Sequence, residues 1–194
     1  MANVVVSWIG AAAADQDLLE AVRAHTERTF ALPVRFLRVW ERPADTYDAR
    51  RNQHSSTRIL KWLNAMRPDG TRKILGITDA DLFISILTFV YGEAQLDGTA
   101  AVVSTARLDS GAAFPNGKAL LRARLIKECI HELGHTLGLI HCARPSCVMS
   151  RSVNLVHVDA KDDVLCHDCR IRYRELRQRG SEDHDQGAYA DSRR

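Results

Sequence analysis

The stretch CIHELGHTLGLIHCARPSCVMS, residues 129–150, contains the residue spacings that best indicate the fold and the chemistry of this chain. Its first two histidines, His131 and His135, are four residues apart, and apolar residues recur at helical spacing from 120 to 137. On a helix, side chains four residues apart lie on one face, where two imidazoles can bind the same metal ion. The pattern therefore predicts a long helix, N-capped by Asn116, that carries a pair of metal ligands.

Gly138 and His141 extend this pattern beyond the helix. Glycine permits the left-handed backbone that ends a helix, so the chain can reverse and bring His141 back as a third ligand. Three neutral imidazoles leave a fourth zinc position open for water, whose pKa then falls towards about 7. Glu132, about 100° round the helix from His131, is the natural general base for that water. These parts suit peptide-bond hydrolysis, and the alternative is a helix whose histidines are merely buried and hydrogen-bonded.

Four of the five cysteines form two close pairs, Cys142 with Cys147 and Cys166 with Cys169. Two short pairs separated by a loop are typical of a closed, structural zinc site. On this interpretation His141 faces the catalytic zinc and Cys142 faces the structural zinc, which would fix the loop after His141. Two disulfides, or reduced cysteines without a metal, remain the alternatives.

Two further sulfur-containing side chains lie within the same stretch. Cys129 falls on the apolar stripe of the predicted helix, and we interpret it as part of the core. Met149 follows the third histidine in an irregular segment, where its polarizable thioether is predicted to pack beneath the metal ligands or simply to fill the core.

Upstream of this stretch, predicted strands alternate with predicted helices, which is typical of an α/β fold with a largely parallel sheet. The predicted strands are 3–8, 33–40, 73–77, 87–94 and 99–104, and the predicted helices are 15–30 and 55–66. Asp97 and Gly98 are typical of a tight turn, so the strand 87–94 is predicted to run antiparallel to its successor. We expect one domain over residues 1–179, with a basic helix at 170–179. Residues 180–194 lack Leu, Ile, Val, Phe and Met, and are predicted to be a disordered tail.

The composition is that of a soluble globular protein. Of 194 residues, 45% are hydrophobic and 26% charged, and the net charge of +3 gives no reason to expect a nucleic-acid or membrane partner. No apolar run approaches the roughly 18 residues of a membrane span, and the apolar segment 4–14 lacks the basic residues that precede a signal peptide. We therefore expect a cytoplasmic monomer.

The run HELGHTLGLIHCARPSCVM, residues 131–149, followed by Cys166 and Cys169, resembles the archaemetzincins, zinc metallopeptidases of the metzincin clan. Residues 81–108 also resemble this family, and the resemblance covers about residues 1–170. It implies an α/β, metzincin-like fold with a twisted, mostly parallel sheet, one antiparallel edge strand, long helices including the zinc-binding active-site helix, and a small C-terminal four-cysteine zinc subdomain.

The resemblance also implies the roles of the site residues. It implies catalytic zinc on His131, His135 and His141, Glu132 as the base that activates a zinc-bound water, and Met149 as the Met-turn of the clan. A second, structural zinc is implied at Cys142, Cys147, Cys166 and Cys169, which gives two zinc ions per chain. The implied substrate is a peptide or protein.

Two other functions remain open from the sequence. One is a zinc-stabilised binding protein with little or no proteolytic turnover, and the other is a nucleic-acid adaptor that uses the four cysteines and the basic helix 170–179. Glu132 favours the peptidase, because a purely structural site needs no base. The mild net charge, and Glu175 within the basic helix, argue against the adaptor.

Overall fold

A computed structural model describes residues 4–10, 15–37, 40–109 and 116–191. The strands are β1 (Val4–Ile9), β2 (Val34–Phe36), β3 (Tyr47–Asp48), β4 (Gln53–Ser55), β5 (Lys73–Thr78), β6 (Leu82–Phe83), β7 (Gly92–Ala94) and β8 (Ala100–Ser104). The helices are α1 (Gln16–Phe30), α2 (Ser56–Met66), α3 (Gly117–Thr136), α4 (Leu155–Ala160) and α5 (His167–Asp191). These elements confirm a mixed α/β fold.

The main sheet has five strands in the order β2-β1-β5-β8-β7, and a small second sheet contains β3, β4 and β6. In the main sheet β1 pairs in parallel with β2 and β5, and β5 pairs in parallel with β8. Among the described strands of this sheet, β7 alone is antiparallel, with Gly92 opposite Val103 at the edge. The predicted mostly parallel sheet with one antiparallel edge strand is therefore confirmed.

Alternate residues of β1 divide the core into two layers. Val4, Val6 and Trp8 belong to a cluster that contains apolar residues of α1 and α3. Val5 and Ile9 belong to a second cluster with the apolar residues of α2. Helices therefore cover both faces, and β1 is buried along its whole length, as parallel strands generally are.

The edge strand is shorter than the sequence predicted. Instead of 87–94, β7 spans only Gly92–Ala94, and Val90 makes an isolated bridge to Leu82 of the small sheet. The alternating apolar residues before Gly92 line a cavity instead of one face of the sheet. The strand predicted at 33–40 is also shorter: β2 ends at Phe36, Trp40 adds a single bridge to Ile9, and residues 38–39 lie outside the described residues.

Both ends of the C-terminal half differ in detail from the expectation. Asn116 precedes α3, but its backbone is left-handed (φ 65°) and its side chain makes no capping hydrogen bond. The backbone of α5 is helical as far as Asp191, where a disordered tail was expected, and residues 192–194 are outside the described residues. No described helix is both long and apolar enough to cross a bilayer.

Tyr173 connects α5 to the rest of the fold. Its ring packs edge-on against Phe30, with ring centroids 5.3 Å apart, and its hydroxyl donates a hydrogen bond of 2.7 Å to the Phe30 carbonyl. Further along α5, Leu176 lies against Gly138, where a Cβ would come within 3.2 Å of the leucine Cδ1. The start of α5 is thus fixed beside the loop that follows the active-site helix.

Candidate active site and metal sites

The last two turns of α3 carry His131 and His135. Their Nε2 atoms lie 3.1 Å apart. The Nδ1 atom of His131 is 2.8 Å from the Val148 carbonyl, and that of His135 is 2.7 Å from the Leu139 carbonyl. Because a carbonyl can only accept, each Nδ1 carries the proton, and each Nε2 turns a lone pair towards the other ring. This tautomer and orientation are those of metal-binding histidines.

The chain reverses after α3 and brings His141 to the same point. Gly138 has the positive φ (87°) that the sequence predicted for this turn. The ring of His141 lies 5.3 Å from that of His131 and 4.8 Å from that of His135, and one nitrogen from each ring lies within 4.8 Å of the others. Tetrahedral zinc with bonds of about 2.0–2.1 Å places its nitrogen ligands about 3.3 Å apart, so the three rings fit one ion.

The electrostatics of the three histidines favour neutral rings. Burial is the largest cause that lowers the pKa of each of them, and His131, which is buried most deeply, falls well below its usual value. Neighbouring positive charge, including that of Lys161, lowers these pKa values further. Neutral imidazoles are the form that binds zinc.

Glu132 lies beside the histidines and beneath the edge strand. Its residue is only 6% exposed. A Cβ on Gly92 of β7 would lie 2.7 Å from its Cγ and 2.9 Å from its Oε1, so the strand passes directly over the carboxylate and leaves no room for a side chain. Burial, followed by the nearby Glu128 carboxylate, raises the pKa of Glu132 well above its usual value, while Lys161 opposes that shift.

Met149 and Cys129 both belong to the core around α3. Met149 is fully buried, and its sulfur would lie 2.5 Å from a Cβ on Gly134, in the turn of α3 between His131 and His135. The methionine therefore packs against the backbone that carries these two rings. Cys129 is also fully buried among apolar residues, as predicted.

The other four cysteines converge at a second site. Cys142 and Cys166 have sulfurs 3.8 Å apart, and Cys147 and Cys169 have sulfurs 3.7 Å apart. A disulfide would require about 2.05 Å, whereas tetrahedral zinc with Zn–S bonds of about 2.3 Å places its sulfurs about 3.8 Å apart. The arrangement fits a four-thiolate zinc site and does not fit two disulfides.

Hydrogen bonds at this second site favour the thiolate of Cys166, whereas burial is the largest cause that raises the pKa of Cys147 and of Cys169. The Cys166 N–H donates to the sulfur of Cys147, and the Arg144 N–H donates to that of Cys142, both at 3.4 Å. Burial opposes ionisation of Cys166, but hydrogen bonds from the Cys169 backbone and from neighbouring thiols outweigh it and lower its pKa to about 7. His141 and Cys142 thus belong to different clusters although they are adjacent in sequence.

A cavity of about 360 Å³ opens beside the three histidines. Phe89, Tyr91 and Gly92 form one side, Glu128 and Glu132 line the α3 side, and Arg151, Ser152 and Val153 come from the segment after Met149. This volume is within the usual range of ligand sites, about 300–1,000 Å³. The carboxylate of Glu132 and the imidazoles of His131 and His141 therefore line one cleft, and His135 lies beside them.

Two charged residues were missed from the sequence: Glu128, which lines this cavity, and Lys161, which pairs with it. Glu128 lies one helical turn before Glu132, so its spacing could have identified it. Lys161, whose side chain is fully buried, has its Nζ 2.8 Å from Glu128 Oε1. No periodicity marks Lys161, because it directly follows α4, a six-residue helix that the sequence did not predict.

Comparisons by sequence and by structure with known proteins identify relatives of the same family. The model described as Peptidase family M54 matches residues 13–175. An archaemetzincin from Methanocaldococcus jannaschii is 42% identical over 139 residues, which cover 71% of this chain and 74% of the relative. The crystal structure of archaemetzincin from Methanopyrus kandleri has a TM-score of 0.80 at 30% identity and covers 91% of this chain and 96% of that one. A zinc-dependent peptidase from Methanocorpusculum labreanum has a TM-score of 0.78 at 26% identity, covering 88% and 99%.

Proposed function

Because the chain belongs to peptidase family M54, the archaemetzincins, and is a zinc metallopeptidase, we propose that it hydrolyses peptide bonds at the cavity beside α3. In this proposal His131, His135 and His141 bind the catalytic zinc, and Glu132 is the general base. The observation that carries the proposal is that three imidazoles converge with nitrogens within 4.8 Å of one another, and that two of them, His131 and His141, line one cavity with the buried carboxylate of Glu132.

Backbone contacts hold these ligands in position. The Val148 and Leu139 carbonyls fix the rings of His131 and His135, and Gly138 allows the turn that brings in His141. Zinc bound there supplies Lewis-acid chemistry, since it polarises a carbonyl and lowers the pKa of water.

Glu132 acts on the attacking water in this mechanism. Its carboxylate takes a proton from the water as the oxygen attacks the scissile carbonyl, and then passes that proton to the leaving amine. Burial supports this role, because it makes the carboxylate a stronger base and excludes competing solvent. The positive charge of Lys161 helps to keep the carboxylate ionised.

The edge strand β7 supports a binding mode for the peptide. In the antiparallel pairing with β8, the carbonyl of Tyr91 accepts from Ser104 and the N–H of Gln95 donates to Ala100. Backbone N–H and C=O groups alternate in direction along a strand, so those of Gly92 and Ala94 point away from β8. An extended peptide can add to them as a further strand, which brings its scissile bond over Glu132.

We further propose a second, structural zinc on Cys142, Cys147, Cys166 and Cys169, and therefore two zinc ions per chain. The sulfur–sulfur distances of 3.7 and 3.8 Å support it. This ion would hold the loop that follows His141 and tie the start of α5 to it. A zinc-stabilised binding protein without turnover is less well supported, because it gives Glu132 no role.

The test compares the wild type with Glu132→Ala on a peptide library, with metal content measured for both. We expect the variant to keep both zinc ions and to lose turnover by at least about a hundredfold, the lower end for general-base catalysis. Glu175→Ala, which removes an exposed carboxylate on α5, is the matched control and should retain activity. Equal turnover by Glu132→Ala and wild type would refute the assignment.

A further inference from the structure

A buried ion pair borders the active-site cavity, which one of its members, Glu128, lines. The side chains of Lys161 and Glu128 are 0% and 4% exposed, and their charged atoms are 2.8 Å apart. Burying such a pair costs at least as much desolvation as its attraction returns, so apolar residues of the same size would stabilise the fold equally well. Stability alone therefore does not explain why a carboxylate and an ammonium group occupy this position.

Glu128 lines the cavity together with His131 and Glu132, one turn further along the same helix. The opposite wall is aromatic: Phe89 and Tyr91 both line the cavity, and their rings meet edge-on with centroids 5.3 Å apart. A side chain that enters here thus contacts both aromatic rings and a carboxylate.

We propose that this cavity receives a substrate side chain and that Glu128, neutralised by Lys161, selects tyrosine by accepting a hydrogen bond from its hydroxyl. The assignment rests on the proposed peptidase function. A tyrosine ring suits the edge-on packing of Phe89 and Tyr91, and its hydroxyl supplies a neutral donor at the end of an apolar body.

Other side chains fit this cavity less well. Phenylalanine fills the same space but leaves the carboxylate without a donor, and a site built to bind a hydroxyl discriminates against an analogue that lacks it. Lysine or arginine adds a third charge to a pair that is already neutral, and Arg151 lines the same cavity with positive charge. Acidic side chains meet the carboxylates of Glu128 and Glu132 and are repelled.

The position of Lys161 depends on contacts with two other parts of the fold. Arg124 of α3 forms an ion pair with Asp159 of α4 at 2.6 Å, which fixes the helix that Lys161 directly follows. On the other side, the N–H of Asp162 donates to the Ser146 carbonyl at 2.8 Å, next to Cys147. Lys161 therefore lies between the active-site helix and the four-cysteine site, and both hold it against Glu128.

The first experiment measures selectivity of the zinc-loaded wild type. Peptides that differ at one position carry tyrosine, phenylalanine, O-methyltyrosine, lysine or glutamate, and that position is moved along the peptide. We expect kcat/KM for tyrosine to exceed that for phenylalanine by about 10- to 100-fold, as expected for a hydrogen bond to a charged group. O-methyltyrosine, which has no donor, should fall to the level of phenylalanine or below. No preference for tyrosine, or a preference for lysine, would overturn the assignment.

The second experiment removes both charges together. The double variant Glu128→Leu, Lys161→Met leaves neither charge buried alone. It also removes the hydrogen-bond acceptor, so the ratio of kcat/KM for tyrosine to kcat/KM for phenylalanine should fall to about one. The matched control removes an exposed pair on α5, with Arg172→Met and Glu175→Leu, and should keep the wild-type ratio. A double variant that folds, binds zinc and retains the preference would contradict the role of Glu128.

Binding measurements distinguish a failure of this inference from a failure of the proposed peptidase function. Tyrosine and phenylalanine peptides can be titrated into zinc-loaded Glu132→Gln protein, where no turnover is needed. Tighter binding of the tyrosine peptide supports the selection by Glu128 even if the wild type cleaves neither peptide, an outcome that would refute only the peptidase. Equal binding of both peptides refutes the selection itself.

Discussion

Gly92→Ala tests whether the edge strand positions Glu132, the proposed general base. The new Cβ would lie 2.7 Å from Glu132 Cγ, which is 0.7 Å short of the 3.4 Å at which ordinary contact begins. The backbone of Gly92 needs no left-handed conformation, so the added methyl acts through this contact and through the Val102 carbonyl, 2.8 Å away. Because the Val102 carbonyl is backbone and resists displacement, both the strand and the Glu132 side chain must shift, and we expect the carboxylate to move by part of that 0.7 Å.

A displacement of about 1 Å can cost about a hundredfold in rate, so Gly92→Ala should lower kcat/KM by roughly 10- to 100-fold. The overpacking should also destabilise the fold by about 1–3 kcal/mol. Peptide hydrolysis, zinc content and chemical denaturation would be measured together. Ala94→Gly changes the same strand without adding atoms above Glu132, and serves as the control. Activity of Gly92→Ala within twofold of wild type, at full zinc content, would refute the close packing of strand and base.

Three other predictions concern the metals and the buried pair. Cys166→Ser should reduce zinc from two ions to one per chain and lower the unfolding midpoint, because structural zinc supplies folding free energy. Elemental analysis measures the zinc content and thermal denaturation measures the midpoint. Two zinc ions retained by the variant would contradict this prediction. Lys161→Met should lower the free energy of unfolding, measured in urea, by about 3–5 kcal/mol, because it leaves the Glu128 carboxylate buried and unpaired. Adding Glu128→Leu to that variant should recover most of the loss. Burial lowers the pKa of the three histidines, so protons should displace the catalytic zinc only well below the usual histidine pKa of about 6.5; loss of that zinc at pH 6.5 in a metal-release titration would contradict the prediction.

The parts of the molecule that the sequence predicted well are those determined by local spacing. The separation of His131 and His135 by four residues places them on one helix face in any fold, and Gly138 allows the following turn wherever the helix lies. The alternation of strands and helices indicates a parallel sheet for a similarly general reason. These predictions needed no knowledge of which segments pack together.

The predictions that differ from the structure depended on tertiary contacts. The alternating apolar residues before Gly92 are those of a strand, but some of them line the cavity opposite α3 instead of extending the sheet. The pairing of Glu128 with Lys161 joins two elements that are distant in sequence, and no local pattern signals it. Asn116 has a residue type typical of an N-cap, yet its left-handed backbone prevents the capping geometry.

The adjacency of His141 and Cys142 gives the two clusters a mechanical connection. The Cys142 N–H donates to the Met149 carbonyl at 2.9 Å, so the chain after His141 is held both by the four-cysteine site and by the segment that packs beneath α3. His141 has no long helix to fix it, unlike His131 and His135, and its ring position depends on these neighbouring contacts. A closed thiolate site next to it can restrict that position without entering the cavity. The second cluster is thus best understood as part of the support for the third histidine, and not as a separate module.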